Sequence, residues 1–541
     1  VVFSEVNFPQ DLKKLNPSEL NELALQIREY LNTHHYGKSG HIKASMGVVE
    51  LTIALHRIFD TPADILIWDV GHQAYIHKLL TGRKGQFPQK RKKGGISGFT
   101  SSKESVYDPF GAGHSSTSVS ALAGFAEAAR LSALNRKHIA VIGDGAFTGG
   151  MNFEAMNYAG ERELDVLVVL NDNQMSIDQN VGALNRFSTY ARFCESLNFD
   201  FLGTVDGHDL DALLNSIRDA ADQTGPRLLR VLTQKGRGYK ALVSDQPEPV
   251  EPSFQQVVAE QMLAIFEANE KVVLLSPAML SGGHFLNLRE KYPQRVFDVG
   301  IAEQHAVTMA AGMAASGYKP YVHLYSTFSQ RALDQIIHDV VLQNLPVTFL
   351  LDRAGLVGED GATHHGVFDI STFSALPEIN ILAPSDKEAV KKAIDQSLNS
   401  PQPTFIRYPK DVVSQSFKGS GFYRSGEHKL VISYGSISAE VEAVAATLGY
   451  GHMVVQQLRP LHFDGLAGRF AKYNKAVVVE ESPEGFGLAA LLRQKLSKSG
   501  IEIDCKSIGL PDAFIEHASR SELLEASQLK GEGLKQALLN A

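Results

Sequence analysis

The segment His138-Ile-Ala-Val-Ile-Gly143-Asp144-Gly145, answered across a helix by Asp165-Val-Leu-Val-Val-Leu170-Asn-Asp-Asn173, decides the fold. Each half is a short apolar run ending in polar residues, the pattern of a strand buried on both faces of a parallel sheet. The polar tips then lie at the carboxyl ends of neighbouring strands, the edge at which open α/β sheets bind ligands. Gly143, Gly145, Gly149 and Gly150 let the backbone approach phosphate oxygens closely where the next helix starts. Asp144 and Asn173, twenty-nine positions apart (173 − 144), offer the hard oxygen donors that Mg²⁺ prefers. A glycine-rich turn alone would suit a dinucleotide equally well. Asp144, however, would aim a bare carboxylate at a pyrophosphate, and the repulsion demands a cation between them. The spacing therefore favours a Mg²⁺-bound diphosphate, with a tight turn and a capping Asp as the plain alternative.

Working outward, the same alternation of helix and strand continues through Leu228-Leu-Arg-Val-Leu-Thr233. The stretch Ser244-Asp-Gln-Pro247-Glu-Pro249-Val-Glu-Pro252-Ser253 then disfavours helix and central strand alike, and reads as a linker. Apolar runs restart at Val272–Ser276, Tyr321–Tyr325, Val347–Asp352, Ile379–Leu382 and Thr404–Arg407, predicting a second doubly wound sheet. A Ser/Gly/charged segment from Ser414 to Gly426 precedes further runs at Lys429–Ser433, Met453–Val455 and Ala476–Glu480. The expectation is three successive α/β domains with mainly parallel sheets, at residues 1–245, 253–413 and 427–541. A length of 541 residues agrees, because single cores rarely grow beyond ~250–300 residues. Two successive doubly wound units would suit a cofactor held between them.

Composition excludes several classes. A net charge of −8 from 52 basic and 60 acidic residues leaves no electrostatic footprint for nucleic acid. The cluster Arg83, Lys84, Lys90, Arg91, Lys92 and Lys93 reads most simply as a solvated loop. Two cysteines, Cys194 and Cys505, cannot make a disulfide framework and fit a reducing compartment. No apolar stretch reaches the 18 residues of a membrane span. The start, Val1-Val2-Phe3-Ser4-Glu5, shows no basic n-region, so a trimmed chain without a secretory signal, and a cytoplasmic location, are expected.

A metal-bound diphosphate anchors a cofactor without activating it, so an acid or base should come from elsewhere. Ile301-Ala-Glu303-Gln-His305 is the candidate, because it follows the strand-like Arg295–Val299 and opens a small-residue helix through Ala310-Ala-Gly312-Met-Ala-Ala315. Glu303 at such a turn is expected among apolar groups, where a carboxyl is readily kept protonated or hydrogen-bonded. Thiamine needs that property: a carboxyl on the aminopyrimidine N1′ favours the imino tautomer, whose 4′-nitrogen takes the thiazolium C2 proton. A helix-capping Glu is the alternative.

Gly143–Asn173 together with Ile301–His305 resembles the transketolase superfamily, and within it the chain is similar to the 1-deoxy-D-xylulose-5-phosphate synthase family. The closer likeness is carried by Ser39-Gly-His41, Trp68-Asp-Val-Gly-His72-Gln-Ala-Tyr75, Gly111-Ala-Gly-His114-Ser-Ser-Thr117 and Lys235-Gly-Arg-Gly-Tyr239. It continues in Tyr325-Ser-Thr-Phe328-Ser-Gln-Arg331, Asp352-Arg353-Ala-Gly-Leu-Val-Gly, Asp360-Gly-Ala-Thr-His364-His-Gly-Val-Phe-Asp369 and Ile508-Gly-Leu-Pro-Asp512. Several motifs in the right order are far more specific than any one.

The resemblance implies a transketolase-like fold, thiamine diphosphate and Mg²⁺ as cofactors, and a homodimer. The implied reaction condenses pyruvate with D-glyceraldehyde 3-phosphate to 1-deoxy-D-xylulose 5-phosphate and CO₂, the first step of the methylerythritol phosphate route to isoprenoids. It implies Asp144, Asn173 and the Met175 carbonyl as metal ligands. His72, Gly113, His114, Ser115, Gly145, Ala146, Asn173 and Tyr239 would contact the cofactor, Phe328 would stack on its pyrimidine, and Glu303 would activate it. His41, His364 and Asp360 would surround the thiazolium C2 as catalytic groups. Tyr325, Arg331, Arg353 and Arg407 would receive the acceptor's phosphate, since guanidinium forks match phosphate better than point charges do.

A lone His such as His72 or His364 is more often a hydrogen-bonded structural residue than a catalyst, and Arg331 or Arg407 could be an ordinary salt-bridge partner. Their places within matching motifs favour the functional reading. His305 and His365 adjoin functional positions and receive no role. Gly111-x-Gly-x-x-x-Thr117 lacks the lysine of a P-loop, which excludes nucleotide triphosphate binding there.

The chain departs from the family between Gly182-Ala-Leu-Asn185 and Val205-Asp-Gly-His208, where members carry a long insert and this chain has only residues 186–204. The join is expected near Tyr190-Ala191. After Tyr239, the short Ala241–Asp245 replaces a further His-containing stretch. The rivals are a transketolase acting on sugar phosphates without decarboxylation, a nicotinamide dehydrogenase and a catalytically silent cofactor-binding paralogue.

Overall fold

The computed structural model describes residues 2–34, 41–176, 178–186, 190–240, 251–413, 421–462, 470 and 472–541. Ser39 and Gly40 of the first quoted motif, the segment 241–245, residues 246–250 of the proline linker and residues 414–420 lie outside the described residues. The chain divides into two compact units, one formed by Val1–Pro247 with Gly300–Ala302, the other by Glu248–Val299 with Glu303–Ala541.

In the first unit β1 (Ile65–Trp68), β2 (His138–Gly143), β3 (Val166–Asp172), β4 (Asp200–Asp206) and β5 (Pro226–Leu232) form one sheet in the order β1-β2-β3-β5-β4, parallel throughout. β1, β2 and β3 are fully or almost fully buried, as continuous apolar runs require when helices cover both faces. One core, rich in residues from 6–87 and 205–231, packs one face, and a second built around Val119, Phe147, Met156 and Phe199 packs the other. β3 runs two residues further than its apolar stretch suggests, through Asn171 and Asp172. Gly143 stands opposite Asn171 and Asn171 opposite Val231, so the polar tips of three adjacent strands share one edge.

The second unit holds two sheets. β6 (Val272–Ser276), β7 (Val296–Asp298), β8 (Lys319–Tyr325), β9 (Thr348–Asp352), β10 (Asn380–Leu382) and β11 (Thr404–Tyr408) are parallel and stand in the order β10-β11-β9-β8-β6-β7. β12 (Gly421–Arg424), β13 (Lys429–Ser433), β14 (Gly451–Val454), β16 (Lys475–Pro483) and β17 (Asp504–Leu510) form the other, with only β12 antiparallel. β15 (Gln457–Arg459), although it follows β14 in the chain, crosses over and adds to β10 as an antiparallel edge strand. One core joins the two sheets, with Val322, Leu351 and Phe405 in the same cluster as Ile432, Val478 and Leu488.

Candidate active site

In the first unit the turn after β2 carries Asp144, Gly145 and Ala146, all buried. Asp144 Oδ1 accepts the Gly145 N–H at 2.9 Å, and Oδ2 accepts those of Asn173 at 3.1 Å and Gln174 at 2.5 Å, so the two quoted tips are clasped directly. Asn173 Oδ1 in turn accepts the Met175 N–H at 3.0 Å. Burial, reinforced by the neighbouring Asp172 carboxylate, pushes the Asp144 carboxyl up to about 7. Asp172 is engaged by Arg230 at 2.6 Å. At Gly145 an added Cβ would lie 3.0 Å from Asn180 Oδ1 and 3.1 Å from Ser176 Cβ, so glycine keeps that hollow open.

The Gly111–Thr117 loop is brought to this turn by Asp69, one residue beyond β1. Its two carboxylate oxygens accept the N–H groups of Ser116 at 2.8 Å and Ser118 at 3.0 Å. Ser116 Oγ then donates to the Ala146 carbonyl at 2.6 Å, which ties the loop bearing Gly113, His114 and Ser115 to the Asp144 turn. Gly149 packs so closely on Ser116 that a Cβ would meet its Oγ at 2.2 Å. His72 stands near His41, ring centroids 6.0 Å apart, with Phe99 at 5.0 Å from His41. Burial and the Lys235 ammonium push the His72 imidazole down to about 4, and its Nδ1 is buried with no hydrogen-bond partner. Lys235 donates to the Ser176 carbonyl and feels the Asp144 charge. Lys235 is a functional candidate that the motif reading left without a role. The Lys43 ammonium lies over the Tyr239 ring at 5.0 Å.

The basic cluster at 83–93 is a solvated loop only in part. Lys92 and Lys93 are exposed and Lys84 is half-buried, but Arg83, Lys90 and Arg91 are buried. Arg83 pairs with Asp108 at 2.7 Å and Glu104 at 2.9 Å, Lys90 lies over the Phe87 ring at 4.7 Å, and Arg91 reaches His41 Nδ1 at 3.5 Å. The partners of Arg83, 21 and 25 residues away in sequence, and that of Arg91, 50 away, lie beyond any local pattern.

In the second unit the candidates gather where β8, β9 and β11 end. Tyr325 stands opposite Asp352, and Tyr408 opposite the same residue on the other side. Tyr325 and Phe328 stack at 5.4 Å and 4°, His364 meets Phe328 edge-on at 5.5 Å, and the Arg353 guanidinium lies 4.3 Å over the Tyr325 ring. Burial raises the Tyr325 hydroxyl's pKa well above its ordinary value. Arg353 Nη1 donates to the Gly282 carbonyl at 2.9 Å and to Asp352. Arg407 is buried and bonds Asp369 through Nε at 2.9 Å, while its Nη2 is buried without a partner. His364 Nδ1 lies 2.9 Å from Thr363 Oγ1, and Asp360 begins the short turn Gly361–Thr363 that precedes it.

Glu303 opens the helix Glu303–Ala315, where it is buried and hydrogen-bonded. Its Oε2 accepts a hydrogen bond from Arg331 Nε at 2.9 Å. Arg331, expected to face a substrate phosphate, thus has its Nε turned to Glu303. Their separation of twenty-eight positions hides the pairing from a local reading (331 − 303).

At the expected join Tyr190 is buried, edge-on to Phe147 at 5.9 Å and under Arg230 at 5.1 Å. No helix among the described residues is long and apolar enough to cross a membrane, and no group of three or more His, Cys, Asp or Glu side chains gathers there as a metal cluster.

Residues 3–193 and 186–233 match the family model for 1-deoxy-D-xylulose-5-phosphate synthase, 250–415 the transketolase pyrimidine-binding domain and 422–534 the transketolase C-terminal domain. The first match comes in two segments that overlap at 186–193, next to the expected join. A 1-deoxy-D-xylulose-5-phosphate synthase from Acidovorax ebreus is 37% identical over 606 positions, covering 99% of this chain and 96% of that protein. One from Thiobacillus denitrificans is 38% identical, covering 98% of this chain and 97% of that protein. The 606 aligned positions exceed the 541 residues of the chain, so the relative has segments with no counterpart here. A transketolase structure from Campylobacter jejuni aligns with 97% of this chain and 100% of that chain at 16% identity and a TM-score of 0.48.

Proposed function

The chain belongs to the 1-deoxy-D-xylulose-5-phosphate synthase family of transketolase-type transferases, and from that premise we propose how its own residues divide the work. Pyruvate and D-glyceraldehyde 3-phosphate, each of three carbons, would give one five-carbon ketose phosphate and CO₂. Thiamine diphosphate, when bound, supplies the electron sink for decarboxylation. The first unit fits its diphosphate and a Mg²⁺ ion. Asp144 is a buried carboxyl beside a second acid, and since Arg230 is taken up by that acid, Asp172, the charge of Asp144 suits a further cation; Gly145 leaves a hollow, and His72 Nδ1 and Asn180 Nδ2 are buried without partners. Asp144, Asn173 and the Met175 carbonyl would hold the ion, whose octahedral shell leaves room for phosphate oxygens and water. Gly113, His114, Ser115, Ala146, Tyr239 and Lys235 would line the rest.

From the second unit Glu303 would hold a proton at the aminopyrimidine N1′, with Arg331 fixing the carboxylate's orientation from behind, and Phe328 would offer its face to the ring. His41, His364 and Asp360 would relay protons to and from the reacting carbons. Arg353, Arg407 and Tyr325 would take the acceptor's phosphate, and the unpartnered Nη2 of Arg407 supports that choice, because a buried donor calls for an acceptor and a phosphate oxygen can be one. We also propose a cytoplasmic homodimer.

The observation that carries this reading is the near-complete alignment with named synthases, with Asp144 and Glu303 standing in the family's motifs. The test is direct: incubate the protein with both substrates, Mg²⁺ and thiamine diphosphate, and identify the products. A five-carbon deoxyketose phosphate with stoichiometric CO₂ is expected. Ketol transfer between sugar phosphates without CO₂ would replace this reading by that of a transketolase.

A further inference from the structure

We propose that Arg520 and Glu481, which the second unit supplies from its third-sheet region, are positioning residues that hold the loop carrying Arg353, Asp360 and His364; this rests on the phosphate role given above to Arg353. The chain leaves β9 at Asp352, turns at Arg353 with φ +58°, and returns through 354–366. Gly355 and Gly366 close the neck of that loop with a reciprocal pair of main-chain bonds at 2.8 and 2.9 Å. Beyond the neck the grip comes from elsewhere. Arg520 Nη1 donates to the Leu356 carbonyl at 2.7 Å, three residues past Arg353 (356 − 353). The same guanidinium forks onto Glu481, at 2.5 and 3.1 Å, and reaches Ser436 Oγ at 3.2 Å and Asp411 at 3.3 Å.

The loop backbone is shaped to this grip. Three of its glycines, Gly355, Gly358 and Gly361, have φ of +81°, +94° and +71°. A Cβ on each would meet, respectively, Glu481 Oε2 at 2.7 Å, the Arg520 main-chain nitrogen at 3.1 Å and His517 Cβ at 3.1 Å. Left-handed glycines that face one partner surface in succession are what a close backbone approach requires. An ion pair serving only to join two sheets has no need of a main-chain carbonyl beside a substrate-facing arginine. The Arg520–Glu481 fork is nearly buried and geometrically stiff, and a guanidinium that satisfies a carboxylate and a carbonyl together cannot be replaced by an ammonium without losing direction.

The experiment is a double-mutant cycle on the cofactor-loaded enzyme, with Arg520→Ala, Arg353→Ala and the double variant, each assayed with glyceraldehyde 3-phosphate and with unphosphorylated glyceraldehyde. R520A should raise KM for the phosphorylated acceptor about tenfold while leaving KM for pyruvate within about twofold, and should add nothing further once Arg353 is gone. R520K, which keeps the charge and loses the fork, should fall between wild type and R520A, and carries the test if R520A does not fold. Equal effects of R520A on both acceptors, or the same added factor in the R353A background, would overturn the positioning role. If R353A itself leaves KM for the phosphorylated acceptor unchanged, the phosphate assignment fails; if R353A raises KM and R520A or R520K does not, the positioning role alone fails.

Discussion

Two buried aspartates in the first unit, Asp144 and Asp108, have opposite surroundings. Asp108 accepts hydrogen bonds from His77 Nε2 at 2.8 Å, from both terminal nitrogens of Arg83 at 2.7 and 2.9 Å, and from the Ser101 N–H at 2.9 Å. Despite its burial, those partners hold its carboxyl far below the usual carboxylate range. Asp144 is met mostly by main-chain N–H groups, with the Asn180 amide and the Lys235 ammonium answering it only in part; buried and facing a second acid, its carboxyl is pushed up instead. Burial alone therefore says little about role. A carboxylate whose charge is answered inside the fold is part of the scaffold, and one left unanswered marks where something else must bind.

Removing the answered charge should have the largest effect on stability. Asp108→Ala leaves the His77–His56 pair without its acceptor and strips the Arg83 guanidinium of its buried bidentate partner, with only Glu104 and Thr81 remaining, and should cost about 3–5 kcal/mol, the range for breaking a buried ion pair. Urea denaturation of the variant measures this; a loss under about 1 kcal/mol would mean that Asp108 and Asp144 are not so different after all. Asp144→Ala should do the reverse, leaving the apoprotein's unfolding midpoint almost unmoved while lowering Mg²⁺-dependent thiamine diphosphate affinity by more than ~10²-fold. Calorimetric titration reads it, and unchanged affinity would remove the metal from this site.

Glu303 lies between the two cases, an acid answered by Arg331 and yet assigned to chemistry. Glu303→Gln should lower turnover by at least ~10²-fold with cofactor affinity little changed, the scale of a lost positioned acid–base group. Hydrogen exchange at C2 of the bound cofactor is the sharper readout, and a wild-type rate there would pass the role to another residue.

The smallest effect is in pH. His56 lies 2.9 Å from His77, and the chain continues from Thr61 through both imidazoles to Asp108 and Arg83. Burial, with the Arg83 charge adding to it, lowers both imidazoles' pKa below the ordinary value, and Asp108 opposes the shift only in part. An unfolded chain then binds protons that the folded one refuses. Stability should be fully present above pH ~6.5 and decline on acidification, by at most about 1.4 kcal/mol per pH unit for each imidazole. His56→Phe should flatten that slope in urea denaturation between pH 6.5 and 5; an unaltered slope would place the proton uptake elsewhere.

Much of this architecture was legible where local pattern sufficed. β2, β3 and β8 announce themselves as apolar runs because both faces are covered. β4 does not, since it is an edge strand whose residues are largely half-buried or exposed, and β1 offers only four residues. β15 could not be read at all, being three residues long and paired antiparallel with a strand some seventy-five residues earlier (457 − 382). The Asp144–Asn173 clasp was visible because strand ends converge by topology. The partners of Arg83, Glu303 and Arg407 were not, because a salt bridge between residues distant in sequence leaves no periodic trace, and that is why three buried cations passed for solvated ones.

The crossing of β15 bears on how the protein would fare if cut. Arg459 and Gln457 cover the outer rim of β10, and the Ala383 N–H, just past that strand, is taken by the Gln456 carbonyl at 2.8 Å. A fragment ending near Val413 would keep every parallel strand of the middle sheet but leave that rim bare, with Ile381 and Leu382 beside it. Unpaired rims of this kind recruit other chains, so such a fragment would tend to stick to its own copies even with its core intact. The C-terminal region thus guards the middle sheet against self-association as well as gripping a loop.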